Sequence, residues 1–161
     1  SLCDTPGFMV GPEAEKQATI RHVSRMFVAA ANLSVPFFTV VLRKAYGLGA
    51  QAMAAGSLHA PFFTAAWPSG EFGPMGWEGA VRLGFAKELA AQPDEASQKK
   101  MFDTLVAKAY EQGKALNVAS YLEIDAVIDP QETRAWLLRG LNAASMGSQG
   151  DAGPGGFVDT W

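Results

Sequence analysis

The chain has 161 residues, 48% of them hydrophobic and 18% charged, an ordinary balance for a globular protein with one real core. A formal net charge of −3, with no run of Lys or Arg interleaved with aromatics, leaves no field that would attract nucleic acid. The single cysteine, Cys3, rules out an internal disulfide and a cysteine-built zinc site, and the two histidines, His22 and His59, are isolated in sequence.

The opening "SLCDTPGFMVG" reads as the last half of a buried strand running into a loop, as though the chain began inside a larger unit. Residues 13–32 place Ile20, Val23, Phe27, Ala30 and Ala31 at three- and four-residue steps, which predicts one amphipathic helix. The most apolar run, 26–42, is interrupted by Asn32, Ser34 and Pro36 and falls short of the roughly 20 apolar residues a membrane span needs. With no signal peptide before it, the chain reads as soluble and cytoplasmic, or of the mitochondrial matrix in a eukaryote.

"PFFTVVLR" is a β-branched and aromatic run without alternation, which predicts a strand covered on both faces. A glycine-rich turn at Gly47 and Gly49 and a short small-residue helix over 50–55 follow. "FFTAAWP" predicts a second buried strand, "SGEFGPMGWEG" a turn-rich loop, and "WEGAVRLGFAKELA" a helix facing inward through Val81, Phe85 and Leu89.

Asp94 is placed as the N-cap of a further helix through Phe102, Leu105, Val106 and Ala109, with Lys99, Lys100 and Glu111 on a solvated face. A short strand is expected over 126–128. Asp129, Pro130 and Glu132 then form a helix-start signal, with Trp136, Leu137 and Leu141 inward. The Gly-rich segment 144–161 lacks the aliphatics to offset its ordering entropy and is expected to be a flexible tail.

Alternating strands and helices make the class α/β, with too few strands for a complete doubly wound sheet. Asp4-Thr5-Pro6-Gly7 resembles a nucleotide-sensing turn, but the phosphate loop is absent and no Asn-Lys-x-Asp string follows. There is no Gly-x-Ser-x-Gly elbow, no metal-ligand spacing and no assignable carboxylate pair. What remains is main chain: the loops 5–8 and 46–50 each follow a buried strand and precede a helix. Their amides either point free N–H groups at an anionic oxygen or serve only as tight turns.

The strings "LCDTPGFMVG", "RKAYGLGAQAM", "AWPSGEFGPMGWEGAV" and "VIDPQETR", spread over 2–141, closely resemble the carboxyltransferase (beta) subunits of biotin-dependent acyl-CoA carboxylases such as propionyl-CoA carboxylase. The resemblance implies a crotonase-like (ClpP/crotonase) spiral of ββα units, with 1–143 the C-terminal part of the second copy. It implies CO₂ drawn from carboxybiotin, proton removal by the ureido nitrogen and attack of an acyl-CoA enolate on that CO₂. Oxyanion donors would be the turn Gly47, Leu48 and Gly49 with a second turn, Gly7 and Phe8, each donor contributing about 3–4 kcal/mol. Thr5, Pro6, Tyr46, Ala50, Met75 and Gly76 would line the biotin side.

Implied partners are a biotin carboxyl carrier protein, a biotin carboxylase subunit, acyl-CoA of propionyl or acetyl type and further copies of the chain, with no metal, nucleic acid or membrane. A biotin-dependent decarboxylase subunit and a non-catalytic assembly module of the same fold are the alternatives. One departure stands out: the family's Gly-Gly after the Tyr is here Gly47-Leu48-Gly49, and Leu48 disfavours positive φ and adds bulk.

Overall fold

A computed structural model of the chain describes residues 1–146. Its centre is a sheet of five parallel strands: β1 (Leu2–Thr5), β2 (Phe38–Tyr46), β3 (Phe63–Ala66), β4 (Glu71–Gly73) and β5 (Ala126–Val127). The order is β1-β2-β3-β5, with β4 also paired to β2. Phe38 pairs with Phe63 and Lys44 with Glu71, so β3 and β4 run along the same side of β2 and the 67–70 segment inserts two extra residues between them. That insertion is pinned to β2 by Trp67 N–H on the Val41 carbonyl (2.9 Å) and Ser69 Oγ on the Leu42 carbonyl (2.6 Å).

β2 is the strand expected from its unalternating apolar run, and it is buried on both faces. One face packs Cys3, Val41, Ala45, Ala50, Ala66, Phe72, Ala115 and Ile124, and the other packs Phe38, Val40, Phe63, Ala65 and Ile128. The strand runs beyond Arg43 to Tyr46, through residues expected in the turn, because Asp4 holds this stretch. Its carboxylate accepts the Lys44 amide (3.1 Å) and pairs with Arg43 (3.1 Å) where the β1–β2 register shifts between Cys3 and Thr5. Asp4 is therefore committed to the sheet, which disposes of the nucleotide-sensing reading.

The helices are α1 (Pro12–Lys16), α2 (Thr19–Ala31), α3 (Gly47–Met53), α4 (Trp77–Gly84), α5 (Ala86–Ala90), α6 (Glu95–Gln112), α7 (Ala115–Ser120) and α8 (Thr133–Met146). The single helix expected over 13–32 is broken at Ala18, whose φ of +54° interrupts the α-helical ladder. Its apolar stripe is real, yet α2 buries no residue and Ile20 and Met26 stand exposed. The helix expected over 77–90 divides at Phe85, which is exposed, while Val81 and Leu89 are buried as expected.

Asp94 caps α6 as expected, its carboxylate accepting the Ser97 amide at 2.7 Å, although α6 buries nothing. Asp129 accepts the Gln131 amide (2.9 Å) over a 3-10 turn, Pro130–Glu132, that leads into α8. Trp136 and Leu137 pack on the second core, and Leu141 is exposed. A Cβ on Gly140 would sit 2.7 Å from Phe38 Cε1, so this glycine is what lets α8 lie against the sheet. Because α8 runs to Met146, residues 144–146 of the expected tail are helical, and 147–161 lie outside the described residues.

Candidate functional site

β1, β2 and β4 are adjacent and parallel, so their C-terminal ends fall on one edge of the sheet, where α/β folds place their ligands. From these ends leave the 5–8 loop, the first turn of α3, and Pro74-Met75-Gly76. Each expected turn is thus delivered to the same edge.

The three segments touch through main chain. Gly7 has φ +103°, and a Cβ there would lie 3.5 Å from the Tyr46 carbonyl oxygen. A Cβ on Gly49 would meet Gly7 Cα at 3.0 Å and Thr5 Oγ1 at 3.2 Å. Gly47, at φ +56°, has the Pro74 carbonyl oxygen 2.7 Å from where its Cβ would be. Only glycine fits at 47, because the left-handed backbone and the neighbouring carbonyl both exclude a side chain.

The α-helix begins at Gly47 and not at 50, which puts the amides of Gly47, Leu48 and Gly49 in a first turn, where an α-helix holds no acceptor of its own for them. Leu48 takes no positive φ, since Gly47 carries that burden, and its side chain is 57% exposed. The Gly-to-Leu departure therefore adds bulk on the solvent side of the edge. On the second turn the Gly7 amide donates to Thr5 Oγ1 at 3.3 Å, and Phe8 is half-buried. Pro6 is exposed, Ala50 is buried in the first core, Met75 is exposed, and Gly76 opens α4 with nothing within 4 Å of where its Cβ would stand.

Tyr46 lies beneath this edge, 2% exposed, with its hydroxyl donating to Glu71 Oε2 at 3.0 Å. Burial, reinforced by that carboxylate, pushes the phenol far above its ordinary value, so it stays neutral. Tyr110 likewise donates to Glu78 Oε1 at 3.0 Å. In sequence Glu71 is one of many scattered carboxylates; strand register brings it to Tyr46, and no local pattern announces that. Cys3 is buried in the sheet, its thiol pushed up to about 11 by burial and then by Asp4, which removes it as a nucleophile.

Asp125 serves the sheet, its carboxylate accepting the Thr64 amide (2.7 Å), and Glu123 stands on the surface, 3.8 Å from His59. Among the described residues no group of three or more His, Cys, Asp and Glu could hold a metal ion, and no helix is long and apolar enough to cross a membrane. An open apolar cleft of about 470 Å³, lined by Phe72, Gly73, Pro74, Trp77, Gly113 and Val118, shares Pro74 with the Gly47 contact. Trp77 is wedged between Gly73 and Gly113, and its buried indole N–H has no partner among the described residues.

An edge built from small residues and helix-start amides is suited to hold an anionic oxygen, by fixed N–H donors and the positive helix end. It is poorly suited to move a proton by side chain.

Residues 1–151 match the family described as carboxyl transferase domain. The carboxyltransferase subunit of propionyl-CoA carboxylase from Haloferax mediterranei is 34% identical over 142 residues, covering 88% of this chain and 27% of that one. Two solved structures are similar. A single-chain, multi-domain long-chain acyl-CoA carboxylase shows 57% identity and a TM-score of 0.73 over 86% of this chain and 13% of its own. The transcarboxylase 12S hexamer, with methylmalonyl-CoA and methylmalonic acid bound, shows 34% identity and a TM-score of 0.78 over 90% of this chain and 27% of its own. The chain spans about a quarter of the length of the curated relatives it matches.

Proposed function

Because this chain belongs to the carboxyl transferase domain family and has its crotonase-like α/β fold, we propose that it forms the biotin-facing half of an acyl-CoA carboxylase transfer site. In this reading the acyl-CoA half comes from residues outside these 161, on a second copy. The observation that carries it is the convergence of Gly7, Gly47 and Gly49 at the ends of adjacent strands, a main-chain approach so close that a Cβ at 47 or 49 would overlap the neighbouring backbone.

Biotin, when bound as carboxybiotin, supplies CO₂ and the base for the α-proton. The residues of this chain have three tasks. The Leu48 and Gly49 amides, with the Phe8 amide of the neighbouring turn, hold the oxygen that gains negative charge, while the Gly7 amide stays on Thr5 Oγ1 and braces that turn. Thr5, Pro6, Met75 and Gly76 flank that oxygen and exclude water, while Tyr46 and Ala50 support the turn from the core. Donors fixed before reaction need no reorganisation when the charge develops, which is why a site poor in acids and bases suffices.

The partners in this proposal are a biotin carboxyl carrier, a biotin carboxylase, acyl-CoA and further copies of the chain, in the cytoplasm. The substrate in this reading is a short acyl-CoA, of propionyl or acetyl type, and the likeness to a propionyl-CoA carboxylase subunit supports the propionyl form. The 57% identity to a long-chain enzyme favours a second reading with a longer acyl chain. Turnover of propionyl-CoA against palmitoyl-CoA by the intact carboxylase separates the two.

Decarboxylation of methylmalonyl-CoA in the presence of free biotin tests the division of labour. The intact carboxylase is expected to turn over and the 161-residue chain alone to be inert. Robust turnover by the chain alone contradicts the proposal.

A further inference from the structure

The Gly47 turn reverses within one residue. Tyr46 is extended (φ −111°, ψ 131°), and Gly47 then enters the left-handed region against the Pro74 carbonyl. Glycine takes this conformation without strain, so the position of the turn is set by how its two sides are held together. One side is the end of β2, the other the end of β4, and Tyr46 pairs with Gly73 across them.

The bond from Tyr46 Oη to Glu71 Oε2, 3.0 Å long, crosses the same two strands two residues back. Glu71 opens β4 and Pro74 follows its last residue, so this one side-chain bond ties the strand that carries Gly47 to the strand that carries its contact. β4 is itself held from behind, with Phe72 N–H on the Gly113 carbonyl (2.8 Å) and Ala115 N–H on the Gly70 carbonyl (2.9 Å). Tyr110 and Glu78, bonded at 3.0 Å, tie α6 to the first turn of α4, the helix that follows β4.

We propose that Tyr46 and Glu71 form a positioning pair that fixes the Gly47–Gly49 amides for the reaction. Tyr46 is 2% exposed, so its phenol touches no substrate and acts only through the main chain that follows it. A buried hydroxyl demands an acceptor, and Glu71 supplies it. The inference rests on the carboxyltransferase reading of this edge.

The test uses the intact carboxylase with Tyr46→Phe, Glu71→Leu, Glu71→Gln and the double variant Tyr46→Phe/Glu71→Leu. Misplaced donors lower kcat by about 10- to 100-fold in each of the first two, with KM for acyl-CoA within about twofold, because acyl-CoA is held elsewhere. The double variant is no worse than either single one, since both remove the same bond. Glu71→Gln keeps an oxygen that accepts the phenol hydrogen and recovers to within about threefold of the parent.

An unchanged kcat in Tyr46→Phe, losses that multiply in the double variant, or no recovery in Glu71→Gln overturns the proposal. Tyr46→Phe keeps the ring in its core site, so it remains decisive if Glu71→Leu fails to fold. A parent enzyme that transfers no carboxyl group sinks the functional reading instead. The pair is then judged by hydrogen exchange at the Gly47 and Leu48 amides, about tenfold faster in Tyr46→Phe if the bond holds the turn and unchanged if it does not.

Discussion

The strand-end edge and the helical lobe of α4, α5 and α6 are made by opposite means. At the edge, main chain meets main chain: Gly49 lies on Gly7, Gly47 on Pro74, and the absence of atoms is what those positions require. In the lobe, α6 buries no residue, and the Arg82 guanidinium lies 5.1 Å from the centre of the Phe102 ring. There solubility and helix signals decide which residue stands where. The contrast says where substitutions are felt: a single methyl group is large at the edge and small on the lobe.

The largest expected effect is Gly47→Val. From sequence, Val at this position is expected to spare folding moderately while abolishing transfer, but the Pro74 carbonyl leaves no room for it. Left-handed backbone and overlap together destabilise by about 3 kcal/mol, checked by denaturant unfolding, and carboxyl transfer is lost. A variant as stable as the parent would erase the distinction between edge and lobe.

Gly113→Ala probes the joint between the two regions. Gly113 has an unstrained φ of −78°, but an added Cβ would run into the Phe72 carbonyl and Trp77 Nε1. We expect a loss of about 2 kcal/mol from crowding alone, smaller than at Gly47 because no backbone strain adds to it.

Cys3 sharpens the comparison from inside the sheet. With its thiol raised to about 11, alkylation at pH 8 in the folded chain should run about 100-fold slower than in the unfolded one. Equal rates would mean that β1 is not seated beside β2.

The smallest effect belongs to the lobe. The Asp94 carboxyl is held below its usual range by the Ser97 amide, so its contribution is complete above the ordinary carboxylate pKa and fades as pH falls below about 4. Asp94→Ala should lower the Tm slightly at pH 7, and the gap to the parent should close in acid. A gap that widened in acid would contradict the cap.

Much of the framework was legible because its signals are local. The unalternating "FTVVL" gave β2, and Asp94 and Asp129 gave two helix starts through their side-chain oxygens. β4 was not legible, since three residues amid glycine and proline have no period and become a strand only by lying on Lys44, Ala45 and Tyr46. The stripe of α2 was legible but its environment was not, because periodicity reports a face and says nothing about what covers it. At the site, the two glycine turns could be read in advance, whereas their contact and the Tyr46–Glu71 bond depend on parallel register between residues far apart in sequence, 25 positions in the case of Tyr46 and Glu71.

The central claim, that main-chain N–H groups and not side chains hold the developing charge, is tested most directly by an amide-to-ester replacement at Leu48 or Gly49 in the intact enzyme. This exchange removes one donor and leaves every side chain in place. The account predicts a fall in kcat of about 10²- to 10³-fold with the fold retained. A kcat unchanged by either replacement would contradict it.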